Sequence, residues 1–225
     1  MSDSVVMDSA PSPDAIVILL HGLGADGHDF APVVQELALP PSVPIRFRFP
    51  HAPSRPVTIN GGISMPAWFD ILGLDRSTAV DAAGIAASTR QLGQWVDEAV
   101  ADGFARERIV VAGFSQGGVI ALNYALRETQ PLAGVMALST YLPQQQELAT
   151  AHAGRQAHLS IFMAHGVHDP VLPLGLAEEA RDFLRSLDYK IEWHEYPMPH
   201  SVCAEEIVAM RAWLVSLLAP TESSD

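Results

Sequence analysis

Apolar residues in this chain gather into short runs of strand length, several of them unbroken rather than alternating, separated by longer stretches of helical period. The runs are Ala15–Leu20, Ile45–Phe49, Ile109–Gly113, Gly134–Ser139, Leu159–Ala164 and Lys190–Tyr196. A run such as Ala15-Ile-Val-Ile-Leu-Leu20 has no polar face, so it reads as a strand covered on both sides. Between the runs lie helical patterns at Phe30–Ala38, Val80–Asp102, Ser115–Glu128, Leu174–Leu187 and Ala204–Leu218, the second with Ile85, Leu92 and Val96 among its apolar positions. Strand followed by helix, repeated, predicts an α/β fold with a mainly parallel central sheet and helices on both faces. The ligand site of such a fold lies beyond the carboxyl ends of the strands.

A chain of 225 residues fits one large domain. No period of about 20 to 50 residues recurs, so the expected organisation is one domain over 14–219 between short polar tails at 1–13 and 220–225. With 48% hydrophobic and 17% charged residues, extensive disorder is excluded. The early apolar run Ala15–Leu20 falls far short of the roughly 20 residues that span a bilayer, so no membrane insertion is expected. The first ten residues carry no Lys or Arg and no continuous apolar segment, unlike a signal peptide, and a cytoplasmic location is the expectation. Cys203, the single cysteine, excludes an intrachain disulfide. The net charge of −13 has the wrong sign for binding nucleic acid or an anionic lipid surface.

Chemistry enters at three strand ends. Ile109-Val-Val-Ala-Gly113 runs into Phe114-Ser115-Gln116-Gly117-Gly118 and then into a helix, which is G-x-S-x-G in a strand–turn–helix setting. Gly113 and Gly117 suit a sharp reversal in which a Cβ would strike a neighbouring strand or helix. Serine needs a base, and the base needs an orienting group. Asp169 lies in the turn after Leu159–Ala164, and His200 in the loop after Lys190–Tyr196. The order Ser115, Asp169, His200 is that of the α/β-hydrolases. Asp182, Asp188, Glu192 and Glu195 lack the turn setting of Asp169; His194, inside its strand, is the competing base, and His168 a candidate neighbour of Asp169.

An acyl-transfer site also needs N–H donors for the developing oxyanion. The N–H of Gln116, following the nucleophile, is one. The second is expected from the glycine-rich turn His21-Gly-Leu-Gly-Ala-Asp-Gly27, with Leu23 the candidate. The segment from His51 to Asp81 is long for a connection, and functional on that account. Its Met65, Trp68, Phe69 and Ile71 are candidates to wall an acyl pocket, core packing being the competing role; an exposed part of the same loop would suit a homodimer.

The segments HGLGADG at 21–27, MPAWFDI at 65–71, GFSQGG at 113–118, HGVHDPVLP at 165–173 and YPMPHSV at 196–202 together resemble the phospholipase/carboxylesterase family of α/β-hydrolases. That family includes small bacterial carboxylesterases and acyl-protein thioesterases. The resemblance implies an α/β-hydrolase fold and a serine esterase that uses no cofactor; no metal is expected, and the chain has little room for a large lid domain. It implies Ser115 as nucleophile, Asp169 and His200 completing the triad, Leu23 and Gln116 N–H groups at the oxyanion, and the Trp68 loop shaping the acyl site. One residue departs from the family pattern: Pro199 stands before the histidine where glycine is usual, which restricts Met198.

The resulting expectation is a serine carboxylesterase acting on short- to medium-chain esters through an acyl-enzyme. Acyl-protein thioesterase or lysophospholipase activity is the alternative, with a small ester or acyl-thioester as substrate. Two other readings compete: a metal hydrolase built on His165, His168, Asp169 and His200, which lacks a recognised ligand spacing, and a non-catalytic binding protein on the same fold.

Overall fold

A computed structural model of the chain describes residues 4–73, 79–152 and 158–220. In chain order the elements are β1 (Ser4–Asp8), β2 (Ala15–Leu20), α1 (Val33–Glu36), β3 (Ile45–Pro50), β4 (Ser54–Val57), β5 (Ile63–Pro66), α2 (Ala82–Ala101), β6 (Ile109–Phe114), α3 (Gln116–Arg127), β7 (Gly134–Leu138), α4 (Gln145–His152), β8 (Ser160–Gly166), α5 (Leu174–Ser186), β9 (Ile191–Tyr196) and α6 (Ala204–Leu218). Seven strands form one sheet in the order β1-β3-β2-β6-β7-β8-β9. All neighbours pair in parallel except β1 with β3. This is the α/β-hydrolase fold, with no lid domain among the described residues.

The unbroken apolar runs divide their side chains between two cores, as alternation along a strand requires. On β2, Ile16, Ile18 and Leu20 join the layer containing Leu92 and Trp95 of α2, much of α3, and Ala180 and Leu184 of α5. Ala15, Val17 and Leu19 face the other way, toward Val34 of α1 and Met210, Trp213, Leu214 and Leu218 of α6. In α2, Ile85, Leu92, Val96 and Ala99 fall on one buried stripe. The helix starts where the Asp81 carboxylate accepts the Gly84 N–H at 2.9 Å.

Several expected boundaries are corrected. The N-terminal tail is in part a strand: residues 4–8 pair with β3, Val5 and Met7 pack on the core, and Arg46 grips Asp8 through two hydrogen bonds of 2.8 and 2.9 Å. The alternating pattern there is too short to stand out without its partner strand. The helix expected at Phe30–Ala38 shrinks to four residues, bounded by Pro32 at its N-cap and by Ala38 in the left-handed region at φ 43°. The long loop after β3 contains the antiparallel hairpin β4–β5. α4 carries only a weak apolar pattern and was absent from the expected set. Residues 1–3 and 221–225 of the expected tails, and 74–78 of the long loop, lie outside the described residues.

Candidate active site

β6 is the middle strand of the seven. Its last pairs, Leu20↔Gly113 with β2 and Phe114↔Leu138 with β7, align the carboxyl ends of the central strands. At this edge Ser115 has φ 54°, ψ −118°, a left-handed-side conformation held by its N–H donating to Leu138 O at 2.9 Å and its carbonyl accepting the Thr140 hydroxyl at 2.7 Å. The glycines make the turn feasible. A Cβ on Gly113 would sit 2.2 Å from the Gly117 carbonyl carbon, and one on Gly117 would sit 2.2 Å from Leu20 O. The elbow aims the Ser115 hydroxyl above the sheet at the positive end of the 12-residue α3.

His200 Nε2 lies 2.9 Å from Ser115 Oγ, and His200 Nδ1 lies 2.6 Å from Asp169 Oδ2. The Asp169 side chain is fully buried, and its Oδ1 accepts the Val171 and Leu172 N–H groups, each at 2.8 Å. Those two bonds fix the carboxylate so that Oδ2 faces the imidazole. The loops carrying the acid and the base are tied together: Val167 N–H donates to Tyr196 O at 2.8 Å and His168 N–H to Met198 O at 3.2 Å. With Pro199 in the loop, His200 still meets both partners, and Phe114 supports its ring at 4.8 Å between centroids. Ser115, His200 and Asp169 thus form a catalytic triad.

The competing residues fall elsewhere. His194 contacts Glu192 at 3.0 Å and stacks on Tyr196. His168 is exposed. His165 is fully buried in β8, donates from Nε2 to Leu172 O at 2.8 Å, and is pushed below its ordinary pKa by burial. It lies behind Asp169, with Nε2 3.5 Å from Oδ2. Among the described residues the four histidine and aspartate positions weighed as a metal site make no metal-ligand cluster.

A cavity of about 490 Å³ opens beside the triad, lined by Leu23, Phe30, Ile59, Ile71, Tyr141 and Leu172 among others. A smaller one of about 220 Å³ shares Ile71 and Tyr141 with it. A third, of about 600 Å³ between α2 and α3, shares no lining residue with the catalytic cavity. Of the four residues expected to wall an acyl pocket, only Ile71 lines the catalytic cavity. Phe69 borders the smaller cavity, and Trp68 is packed edge-on against Trp95 in the core. Met65 sits on β5, where its sulfur meets the Asn60 amide at 3.2 Å. For Trp68 and Phe69 the core role displaces the pocket role, because buried polar bonds draw their backbone inward, whereas Met65 is half-buried on the hairpin and joins neither core.

Those bonds come from residues whose side chains sequence reasoning passed over. Gln116 accepts the Trp68 N–H at 2.8 Å and donates to Phe69 O at 2.6 Å. His21 donates from Nδ1 to Gly22 O at 2.8 Å and accepts the Ala52 N–H on Nε2 at 3.1 Å, which makes it a neutral imidazole. Burial accordingly pushes its pKa down. The Trp68 indole N–H donates to His21 O at 2.8 Å. The only available signal was that both residues flank glycines in loops that must be pinned.

The family profile described as phospholipase/carboxylesterase matches residues 1–218. The chain is 42% identical to acyl-protein thioesterase 1 of Mycosarcoma maydis, in an alignment that covers 93% of this chain and 94% of that protein. Among solved structures, Arabidopsis thaliana SOBER1 superposes with a TM-score of 0.85 at 25% identity, over 91% of this chain and 99% of that one. Zea mays acyl-protein thioesterase 2 shares the fold at a TM-score of 0.86 and 24% identity, over 97% and 100%.

Proposed function

The chain belongs to the phospholipase/carboxylesterase family, and from that premise we propose that it is a thioesterase that removes acyl groups from proteins. The observation that carries the reading is the 42% identity, over nearly the full length of both chains, to an acyl-protein thioesterase. An apolar cavity of about 490 Å³ beside Ser115 has room for an acyl chain at or beyond the upper end of the short- to medium-chain esters expected from sequence.

His200 Nε2 takes the Ser115 proton as Oγ attacks the thioester carbonyl, and returns it to the departing thiol. Water then repeats the sequence on the acyl-serine. Asp169 holds the Nδ1–H tautomer and stabilises the imidazolium. The N–H groups of Leu23 and Gln116, both on the cavity wall beside Ser115, take the oxyanion role; neither donates to a protein acceptor among the described residues. Loss of one such donor corresponds to roughly 3 kcal/mol of barrier.

The test compares S-acylated peptides with p-nitrophenyl esters of the same acyl chains, using wild type and Ser115→Ala. A higher kcat/KM for the thioesters of medium and long chains, abolished by Ser115→Ala, is the expected result. Faster turnover of short esters than of any thioester would return the assignment to a carboxylesterase.

A further inference from the structure

Outside the triad, the described residues bring three potential metal ligands together at one place: Asp26, His28 and His51, each offering one ligand atom, with all three atoms within 4.8 Å of one another. The backbone explains the placement. Asp26 and His28 flank Gly27, which packs so closely on the end of β3 that a Cβ there would stand 2.4 Å from Phe49 O. His51 directly follows β3, and its Nδ1 accepts the Gly27 N–H at 3.1 Å. Asp29 closes the turn by accepting the Asp26 N–H at 2.8 Å. Turn and strand end therefore form one pinned unit, with three ligand side chains projecting from it.

Distances within the cluster are near those of a coordinated set. Asp26 Oδ1 is 3.0 Å from His28 Nδ1, and the His28 and His51 rings are 5.4 Å apart between centroids. Ligand bonds of about 2.0–2.1 Å in tetrahedral geometry place ligand atoms roughly 3.3 Å apart. Rotation of the exposed Asp26 and His28 side chains narrows the difference, and the half-buried His51 ring must turn away from the Gly27 N–H to join them. Two imidazoles and one carboxylate form a donor set for a borderline ion of the zinc class, whereas Mg²⁺ and Ca²⁺ require mainly oxygen ligands.

We propose that this turn is a binding site for a zinc-class divalent cation, held by Asp26, His28 and His51 with water completing the shell. His51 binds through the Nδ1 lone pair that now accepts the Gly27 N–H, since a neutral imidazole has only that one lone pair. Loss of this long hydrogen bond opposes binding and places the site among moderate rather than tight ones. Because Leu23, Ala25 and Asp29 of the same loop line the catalytic cavity, the ion sits on the back of the segment that faces the reacting carbonyl.

Metal-free protein titrated with ZnCl₂ by calorimetry, and with CoCl₂ followed by visible absorption, tests the site. The expected result is one ion per chain, a tetrahedral Co²⁺ spectrum, and affinity at least tenfold weaker in both His28→Ala and Asp26→Asn. Both altered side chains are exposed, so the variants fold, which circular dichroism checks. No binding by the wild type, or a change under tenfold in either variant, overturns the proposal. MgCl₂ in the same titration should give no heat, and an equal response to it would overturn the ligand class.

Discussion

Gln116 reaches from the first turn of α3 back to Trp68, 48 residues earlier, and holds its N–H at 2.8 Å with the same amide that donates to Phe69 O at 2.6 Å. One side chain thereby satisfies two buried backbone groups of the loop beside the catalytic cavity. Its own N–H remains directed to the site as the proposed oxyanion donor.

Gln116→Leu keeps that N–H while stranding the Trp68 N–H and the Phe69 carbonyl. Each stranded group costs about 1–3 kcal/mol. Urea denaturation should show a lower midpoint with an unchanged slope. A midpoint equal to wild type would mean that the loop finds other partners.

Asp169→Asn should leave the fold intact and lower kcat on the order of 10⁴-fold, because the amide no longer selects the Nδ1–H tautomer of His200. Steady-state kinetics on an acyl thioester measures this. A loss under tenfold would remove Asp169 from the orienting role.

Gly117→Ala places a methyl 2.2 Å from Leu20 O, between backbone segments that have no slack. Destabilisation above about 3 kcal/mol is expected, seen as a fall in thermal midpoint together with lost turnover. A variant as stable as wild type would contradict the packing of the elbow against β2.

Ile71 stands between the catalytic cavity and the smaller one beside it. Ile71→Trp should cut kcat/KM for long acyl chains roughly tenfold or more, while short chains change little. A uniform fall across chain lengths would mean that the acyl group runs elsewhere.

Glu206 is fully buried on α6 with no side-chain partner for its carboxyl among the described residues, and burial, only partly offset by the nearby Cys203 N–H, pushes its pKa from 4.5 up to about 8. Between those values the folded state binds more protons than the unfolded chain, so this group's contribution to stability falls as pH rises. Glu206→Gln removes the loss, and its thermal midpoint should gain on wild type progressively from about pH 5 to about pH 8. The comparison with wild type is needed because His21 and His165, both pushed below 6.5 by burial, bend the curve the opposite way at acid pH. A constant offset between the two proteins across that range would show that Glu206 does not titrate there.

Much of this architecture is local chemistry and is legible in the chain. Short apolar runs, unbroken where both faces are covered and alternating toward the edges, mark the strands, and five of the six expected runs, with Ile109–Gly113 extended by one residue, coincide closely with β2, β3, β6, β7 and β9. The sixth, β8, runs two residues further, through His165 and Gly166, because pairing with β9 continues there. Ser115, Asp169 and His200 were identifiable because each follows the end of a parallel strand, and parallel strands in register bring such residues to one edge. Tertiary structure alone decided the rest. β1 is a strand only because β3 has an edge to pair, and the β4–β5 hairpin emerges from a segment with no period of its own. Trp68 and Phe69 look the same in sequence whether they wall a pocket or fill a core. What assigns them to the interior is hydrogen bonding from Gln116 and His21 across 47 or 48 residues, and no local pattern encodes a bond between side chain and backbone at that separation.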